Sequence, residues 1–314
     1  MNWLVVGIGD ITTKRAIPAI LEEARSHLYG VVTRDPAKAV PYQTRVWTSL
    51  DEALKDSAID AVYVASPVVL HARQTIAALR AGKHVLCEKP MAMNYAEACS
   101  MEEAAVETDR VLGIAYYRRM YGKIRRAKEL IEGGAIGKPV VAEATAHSYF
   151  NDEDGTRSWL LHRSLAGGGP LYDIASHRID AFNFLFGKPV RACGHISNLV
   201  HINDVEDNAT VLIEYESGVR GIVDVRWHSR IGRDEFRIRG VDGEIELTPL
   251  NGATIVYPGG SEELPAYANL HYPCVHNFVE AVLDGKPLAA SGASSILTDQ
   301  VTEWVTEQAR SSVS

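Results

Sequence analysis

The apolar run Trp3-Leu4-Val5-Val6 ends in Gly7-Ile8-Gly9-Asp10-Ile11-Thr12. Over 14–25, Ala16, Ile17, Ile20, Leu21 and Ala24 then recur at helical spacing. A strand, a glycine turn and a helix in that order constrain the fold more than any other stretch. Gly7 permits the tight turn. Gly9 lets the main chain approach a pyrophosphate, whose charge meets the unpaired N–H groups of the helix N-terminus. Thr12 stands where a dinucleotide fingerprint has its third glycine, so the match is partial and a plain βα turn is the alternative. Pro18 is tolerated near a first helical turn and costly further in, which predicts a helix that starts late or bends there.

The same unit repeats. Strand-like runs over 28–33, 60–66, 84–87 and 111–115 alternate with helical patterns over 69–80, closed by Gly82, and 95–107. Five such strands predict an α/β architecture, a doubly wound parallel sheet. Ligands of these sheets bind beyond the carboxyl ends of the strands. The glycine turn, Ser66-Pro67 and the Glu88-Lys89-Pro90 turn after Cys87 all lie at such ends. A lysine at a strand end is ordinarily a solvated charge; this position makes Lys89 a candidate for the reacting centre. At the end of the second strand the chain reads Thr33-Arg34-Asp35. An acid there would accept from a ribose 2′-OH. Thr33 does not repel a 2′-phosphate and Arg34 can pair with one, which favours NADP. In the other reading Arg34 stacks on adenine or stands in solvent, and NAD is used. The cofactor set is accordingly Gly7, Gly9, Asp10, Ile11, Thr33, Arg34, Ser66, Pro67, His71, Glu88 and Lys89. His71 can equally be a surface histidine at a helix start.

The pattern changes after about residue 119. A helix over 123–132 closes with Gly133-Gly134, and strand-like runs follow over 140–149, 192–201, 209–215, 220–228, 235–241, 244–247 and 254–257. Helices interrupt at 172–186 and 275–283. Thr210, Leu212 and Glu214 alternate with Val211, Ile213 and Tyr215, as in a sheet with two different faces. This predicts two domains: 1–120, and an α+β domain over 121–314 with a largely antiparallel sheet.

The most unusual stretch of the second half is the glycine run Gly167-Gly168-Gly169-Pro170, which leads into a helix carrying Asp173 and His177. At i and i+4 they share one helical face. A carboxylate there can hold the tautomer of the imidazole and poise it for acid/base work; an exposed helical ion pair is the alternative. The three glycines either form a flexible loop or allow close approach of a ligand. Arg118 and Arg119, beside Tyr116 and Tyr117, bind a polar substrate or cap the domain junction. Trp159, His162 and Arg163 are candidates to border the site. No spacing suggests metal ligands, and no metal is expected.

The 314 residues carry a net charge of −8 with acids and bases interspersed, which argues against nucleic acid as a partner. Cys87, Cys99, Cys193 and Cys274 are scattered without CxxC spacing and read as reduced thiols of a cytoplasmic protein. The N-terminus lacks signal-peptide character, and no apolar run approaches a membrane span.

With these residues assembled, the chain resembles the Gfo/Idh/MocA family, which includes glucose–fructose oxidoreductase and inositol dehydrogenase. The resemblance runs over essentially the whole length. It rests on Gly7-Ile8-Gly9, on the stretch from Ala81 to Pro90, and on that from Gly167 to His177. It implies a Rossmann domain, a C-terminal domain with an open-faced sheet that makes dimers or tetramers, and oxidation or reduction of a sugar, cyclitol or related diol with NAD(P). By motif, Lys89 matches the family's catalytic lysine, and Asp173 and His177 its Asp-x-x-x-His pair. His177 would exchange the proton, Lys89 would stabilise the developing alkoxide, and Asp173 would orient the imidazole or bind substrate. Substrate contacts then include Lys89, Arg118, Trp159, Asp173 and His177. Pro90 often follows a cis peptide in the family. Val68 or Val69 replaces an asparagine common after the fourth-strand proline. Two other functions stay open: a non-catalytic nicotinamide-binding regulator, and a glycosidase that uses NAD transiently.

Overall fold

The computed structural model describes residues 1–153, 155–201 and 203–311. Its contacts group Met1–Tyr117 with Tyr267–Ile296, and Arg118–Ala266 with the chain from Leu297 on.

In the first unit, β1 (Asn2–Val6), β2 (His27–Val32), β3 (Arg45–Trp47), β4 (Ala61–Val64), β5 (His84–Cys87) and β6 (Leu112–Ile114) form a parallel sheet in the order β3-β2-β1-β4-β5-β6. The order reverses between β1 and β4, the switch point at which such sheets bind ligands. Both faces are covered, which is why β1 and β4 read as continuous apolar runs. Leu4, Val6, Val62 and Val64 pack on one side with Val85, Ala98 and Met101. Trp3, Val5 and Tyr63 pack on the other with Ile17, Ile20 and Phe278. Phe278 comes from the helix Tyr272–Asp284, far along the chain, and its ring lies 5.3 Å from that of Trp3.

β3 is a sixth strand that the sequence pattern did not announce. It is a three-residue edge strand with Val46 exposed, so it carries no apolar run. The helix after the glycine turn does not start late: Asp10 and Ile11 are already helical and the Thr13 N–H bonds to the Gly9 carbonyl. Thr12–Ala16 then wind as a π-helix, and Ile17–Glu22 returns to the α form with Pro18 in its first turn. Leu21 and Ala24 are exposed and do not join the core.

In the second unit, β7 (Pro139–Tyr149), β8 (Pro189–Ser197), β9 (Asn208–Tyr215), β10 (Arg220–Arg226), β11 (His228–Gly240), β12 (Glu244–Glu246), β13 (Thr254–Tyr257) and β14 (Gly260–Glu263) form a sheet in the order β14-β13-β12-β11-β7-β10-β9-β8. Only the β7–β10 pair is parallel. The predicted alternation in β9 holds: Val211, Ile213 and Tyr215 are buried, while Thr210 and Leu212 are exposed, Leu212 at 49%. The covered face packs on the helix Ser176–Phe186, where Phe182 meets Phe236 with ring centroids 5.0 Å apart. Asp180 of that helix forms a fully buried double hydrogen bond with Arg119. Arg119 is therefore a structural cation inside this unit.

The helix Gly292–Ser311 was not legible in the sequence. Its buried face mixes Val301 and Val305 with Ser295, Thr298, Thr302 and Thr306. Thr302 and Thr306 donate to the carbonyls four residues back, at 2.9 and 2.8 Å, so their hydroxyls are satisfied within the helix. No helix among the described residues is long and apolar enough to cross a membrane.

Candidate active site

Gly7 has φ +93°, and a Cβ there would lie 2.8 Å from the Ala65 carbonyl oxygen, so only glycine fits between β1 and the end of β4. Thr12, the departure from the fingerprint, is fully buried and donates its hydroxyl to the Gly7 carbonyl at 2.9 Å. It closes the turn that a third glycine would otherwise leave open. Gly9 differs: a Cβ there would meet no protein atom within 4 Å. Packing does not require that glycine. A main chain kept bare toward open space suits close approach of a phosphate, and Asp10 and Ile11 beside it are exposed. The Gly7 N–H donates to the Val32 carbonyl, which places the end of β2 alongside. Thr33 is buried and its hydroxyl is shared with the Asp35 main chain. Arg34 is exposed and has no hydrogen-bond or ion-pair partner among the described residues.

The ends of β4 and β5 are tied together. His71 is 1% exposed, so the surface alternative for it does not hold. Its Nδ1 lies 2.9 Å from the Pro90 carbonyl oxygen and its Nε2 2.9 Å from that of Ser66. Burial lowers its pKa against the pull of these carbonyls and of Glu88. The Ser66 hydroxyl donates to Gln74 at 2.6 Å. Pro67 precedes Val68, which is buried, and Val69, which is exposed, so neither offers the polar contact of an asparagine. The Lys89–Pro90 peptide is cis. Glu88 is buried, and Lys89 is half-buried.

In the second unit the glycine run has a packing cause. A Cβ on Gly168 would lie 2.4 Å from the Tyr172 ring, and one on Gly169 would lie 2.0 Å from the Glu206 carbonyl oxygen. What approaches closely is Tyr172 and Glu206. The Glu206 carboxylate accepts the Gly169 and Leu171 N–H groups at 2.8 and 3.2 Å, with Arg163 at 3.7 Å. Burial raises its pKa despite these donors. The following turn, Leu171–Ala175, is a π-helix, and the α-helix begins at Ser176. Asp173 and His177 therefore sit on either side of a π-to-α junction. Such π-turns concentrate at functional sites, and here both follow a glycine turn. His177 is buried and Asp173 half-buried. An Asp173 oxygen lies 3.6 Å from Arg157, a partner that spacing did not suggest. Trp159 packs on the cluster of Phe150, Leu160 and Trp227. The His162 carbonyl accepts the Leu165 and Ala166 N–H groups. Arg118 is buried and donates to Asn251 at 2.6 Å.

A parallel sheet with a glycine turn at its switch point, followed in one chain by an α+β unit with an open sheet face, defines a two-part nicotinamide oxidoreductase. Residues 1–116 match the model of the oxidoreductase family with an NAD-binding Rossmann fold, and residues 124–246 that of the GFO/IDH/MocA C-terminal domain. The chain belongs to the Gfo/Idh/MocA family. It is 29% identical to the 1,5-anhydro-D-fructose reductase of Ensifer adhaerens over 309 residues, 94% of this chain and 92% of that protein. It is 26% identical to the myo-inositol 2-dehydrogenase of Thermotoga maritima, over 92% of this chain and 90% of that one. The crystal structure of an aldose-aldose oxidoreductase from Caulobacter crescentus, complexed with glycerol, superposes with a TM-score of 0.88 at 26% identity, covering 99% of this chain and 98% of that one.

Proposed function

We propose that this oxidoreductase transfers a hydride between NADP and a hydroxyl or carbonyl carbon of a sugar, cyclitol or related diol. The observation that carries the reading is the Glu88-Lys89-Pro90 turn, pinned at the carboxyl edge of β5 beside the β4 loop and the glycine turn. The main chain at Gly7, Gly9, Asp10 and Ile11 would hold the pyrophosphate, with Ser66 and Pro67 beside it. The cofactor supplies or takes up the hydride. Lys89 brings a positive charge to the reacting oxygen and stabilises negative charge as it develops there. His177 takes the proton from that oxygen in oxidation and returns it in reduction. Asp173 orients His177 or binds a substrate hydroxyl, and Trp159 and Arg118 line the substrate. The neutral Thr33 and the unpaired Arg34 support NADP, because a guanidinium is suited to a 2′-phosphate. The names of the relatives support the substrate class. The open face of the eight-stranded sheet, where Leu212 of β9 stands exposed, supports a homodimer or homotetramer, which light scattering on the purified protein tests.

The direct experiment follows reduced-nicotinamide absorbance with NADP and with NAD across aldoses, anhydro sugars, cyclitols and simple diols. Turnover with at least one polyol is expected. Tight cofactor binding with no turnover on the whole panel would favour a regulatory protein. Release of a glycosidic leaving group without net redox change would favour a glycosidase. With an active substrate, Lys89→Ala is expected to lower kcat about a hundredfold or more with cofactor affinity little changed. A near-parental rate refutes the role given to Lys89.

A further inference from the structure

Glu88 belongs to no catalytic step in this reading, yet its carboxylate meets three hydrogen-bonding partners. It is 6% exposed. Its Oε1 accepts the Tyr63 hydroxyl at 2.7 Å and lies 3.0 Å from His271 Nε2. Its Oε2 accepts the main-chain N–H of Lys89 at 3.2 Å. A buried carboxylate is costly unless paired and hydrogen-bonded, and burial alone would raise its pKa. His271 and Tyr63 outweigh that and hold the group as the anion. The Glu88 N–H is itself spent on the Val64 carbonyl, and the Pro90 carbonyl faces His71. The main chain is thus fixed immediately before and after Lys89.

His271 is the unexpected member. It lies 183 residues beyond Glu88 and just before the helix Tyr272–Asp284. Its ring is 3% exposed and rests 5.1 Å from that of Tyr117. Nδ1 is buried with no hydrogen-bond partner among the described residues. Because the ionised Glu88 only accepts, Nε2 carries a proton in either charge state of the ring. An apolar side chain would fill the same space without leaving Nδ1 unsatisfied, a cost of about 1–3 kcal/mol. The residue is explained by what Nε2–H does to Glu88.

We infer that His271 is a positioning residue for Lys89: with Tyr63 it fixes the Glu88 carboxylate, which fixes the main chain from which the lysine projects. The inference rests on the catalytic reading of Lys89. Small misplacements of a reacting group cost up to about a hundredfold in rate.

The test compares His271→Ala, His271→Gln, Tyr63→Phe and Lys89→Ala with the parent, using the best polyol of the panel. His271→Ala is expected to lower kcat about tenfold or more, with the KM for NADP within about twofold. His271→Gln places an amide N–H near the position of Nε2 and should restore kcat to within about threefold. A merely structural histidine predicts no such rescue and no split between kcat and KM. Hydrogen exchange over 84–92 needs no substrate: the Lys89 amide should exchange faster in His271→Ala and recover in His271→Gln. If Lys89→Ala keeps its rate, the catalytic reading fails and takes this one with it. If Lys89→Ala is inactive while His271→Ala keeps parental kcat and parental exchange, the inference alone fails. Should His271→Ala not fold, Tyr63→Phe removes the other donor to the same oxygen; parental kcat and exchange there overturn the proposal equally.

Discussion

Thr12 and Arg34 show two ways in which single residues depart from a fingerprint. Thr12 occupies a glycine's place, and its hydroxyl turns back on the Gly7 carbonyl. Sequence could register the departure but not the compensation, because a threonine hydroxyl has many possible acceptors. Arg34 is the reverse case: its type already suggested a phosphate partner, and its side chain stands exposed with no ion-pair partner among the described residues. Arg34→Ala should weaken NADP by about tenfold while NAD changes little, since a charge-assisted pair is worth about 1.5–3 kcal/mol at most and less in solvent. Fluorescence titration of both cofactors reads this directly. Equal losses for the two would assign Arg34 to adenine stacking and return the preference to NAD. Gly9 supplies a second residue-level prediction. With no protein atom within 4 Å of its Cβ position, Gly9→Ala should leave stability within about 0.5 kcal/mol of the parent. It should nonetheless bind the cofactor more weakly, by isothermal titration.

Among elements, the strands of the parallel sheet were the most legible, because burial on both faces turns each into an apolar run. The short edge strand β3 was hidden for the opposite reason, having no buried apolar run, and the helix Gly292–Ser311 because buried hydroxyl residues interrupt the apolar pattern of Val301 and Val305. The turn at Gly167–Gly169 was visible as a motif but not in its cause. Its glycines admit Tyr172 and Glu206, which local spacing cannot bring together, and the turn after it winds as a π-helix, which residue pattern does not announce. Gly169→Ala tests that cause. Its Cβ would meet the Glu206 carbonyl oxygen at 2.0 Å, which is main chain and cannot swing aside. A loss of about 1–3 kcal/mol in denaturant unfolding is expected from such overpacking. Stability equal to that of Gly9→Ala would show that the run is a tolerant loop after all.

For the molecule as a whole, the pieces of the candidate site that lie close in sequence were readable, and those supplied from afar were not. His271 reaches Glu88 from beyond the second sheet, and nothing in its local sequence marks it. The same holds for the acids that hold the second unit together. Asp207 is completely buried. Burial would raise its carboxyl, but the N–H groups of His201, Val200 and Leu199 and the Asn208 side chain more than offset this and hold it at about 2. The folded value is below the unfolded one, so the unfolded state binds the proton first. The stabilisation is complete above about pH 4 and is lost as pH falls from there through about 2. Its size is about 2 kcal/mol, from 1.36 kcal/mol per pKa unit. The neighbouring Glu206 runs the other way: burial raises its carboxyl, so its ionisation works against the fold as pH rises past the ordinary glutamate range. Asp207→Asn separates the two. Urea unfolding of the parent between about pH 5 and pH 2.5 should show stability falling toward acid, and the variant should start about 2 kcal/mol lower at neutral pH with a shallower slope. An unchanged slope would mean that the Asp207 carboxylate stays paired with main-chain donors in the unfolded chain, and that acid lability originates in other carboxyl groups.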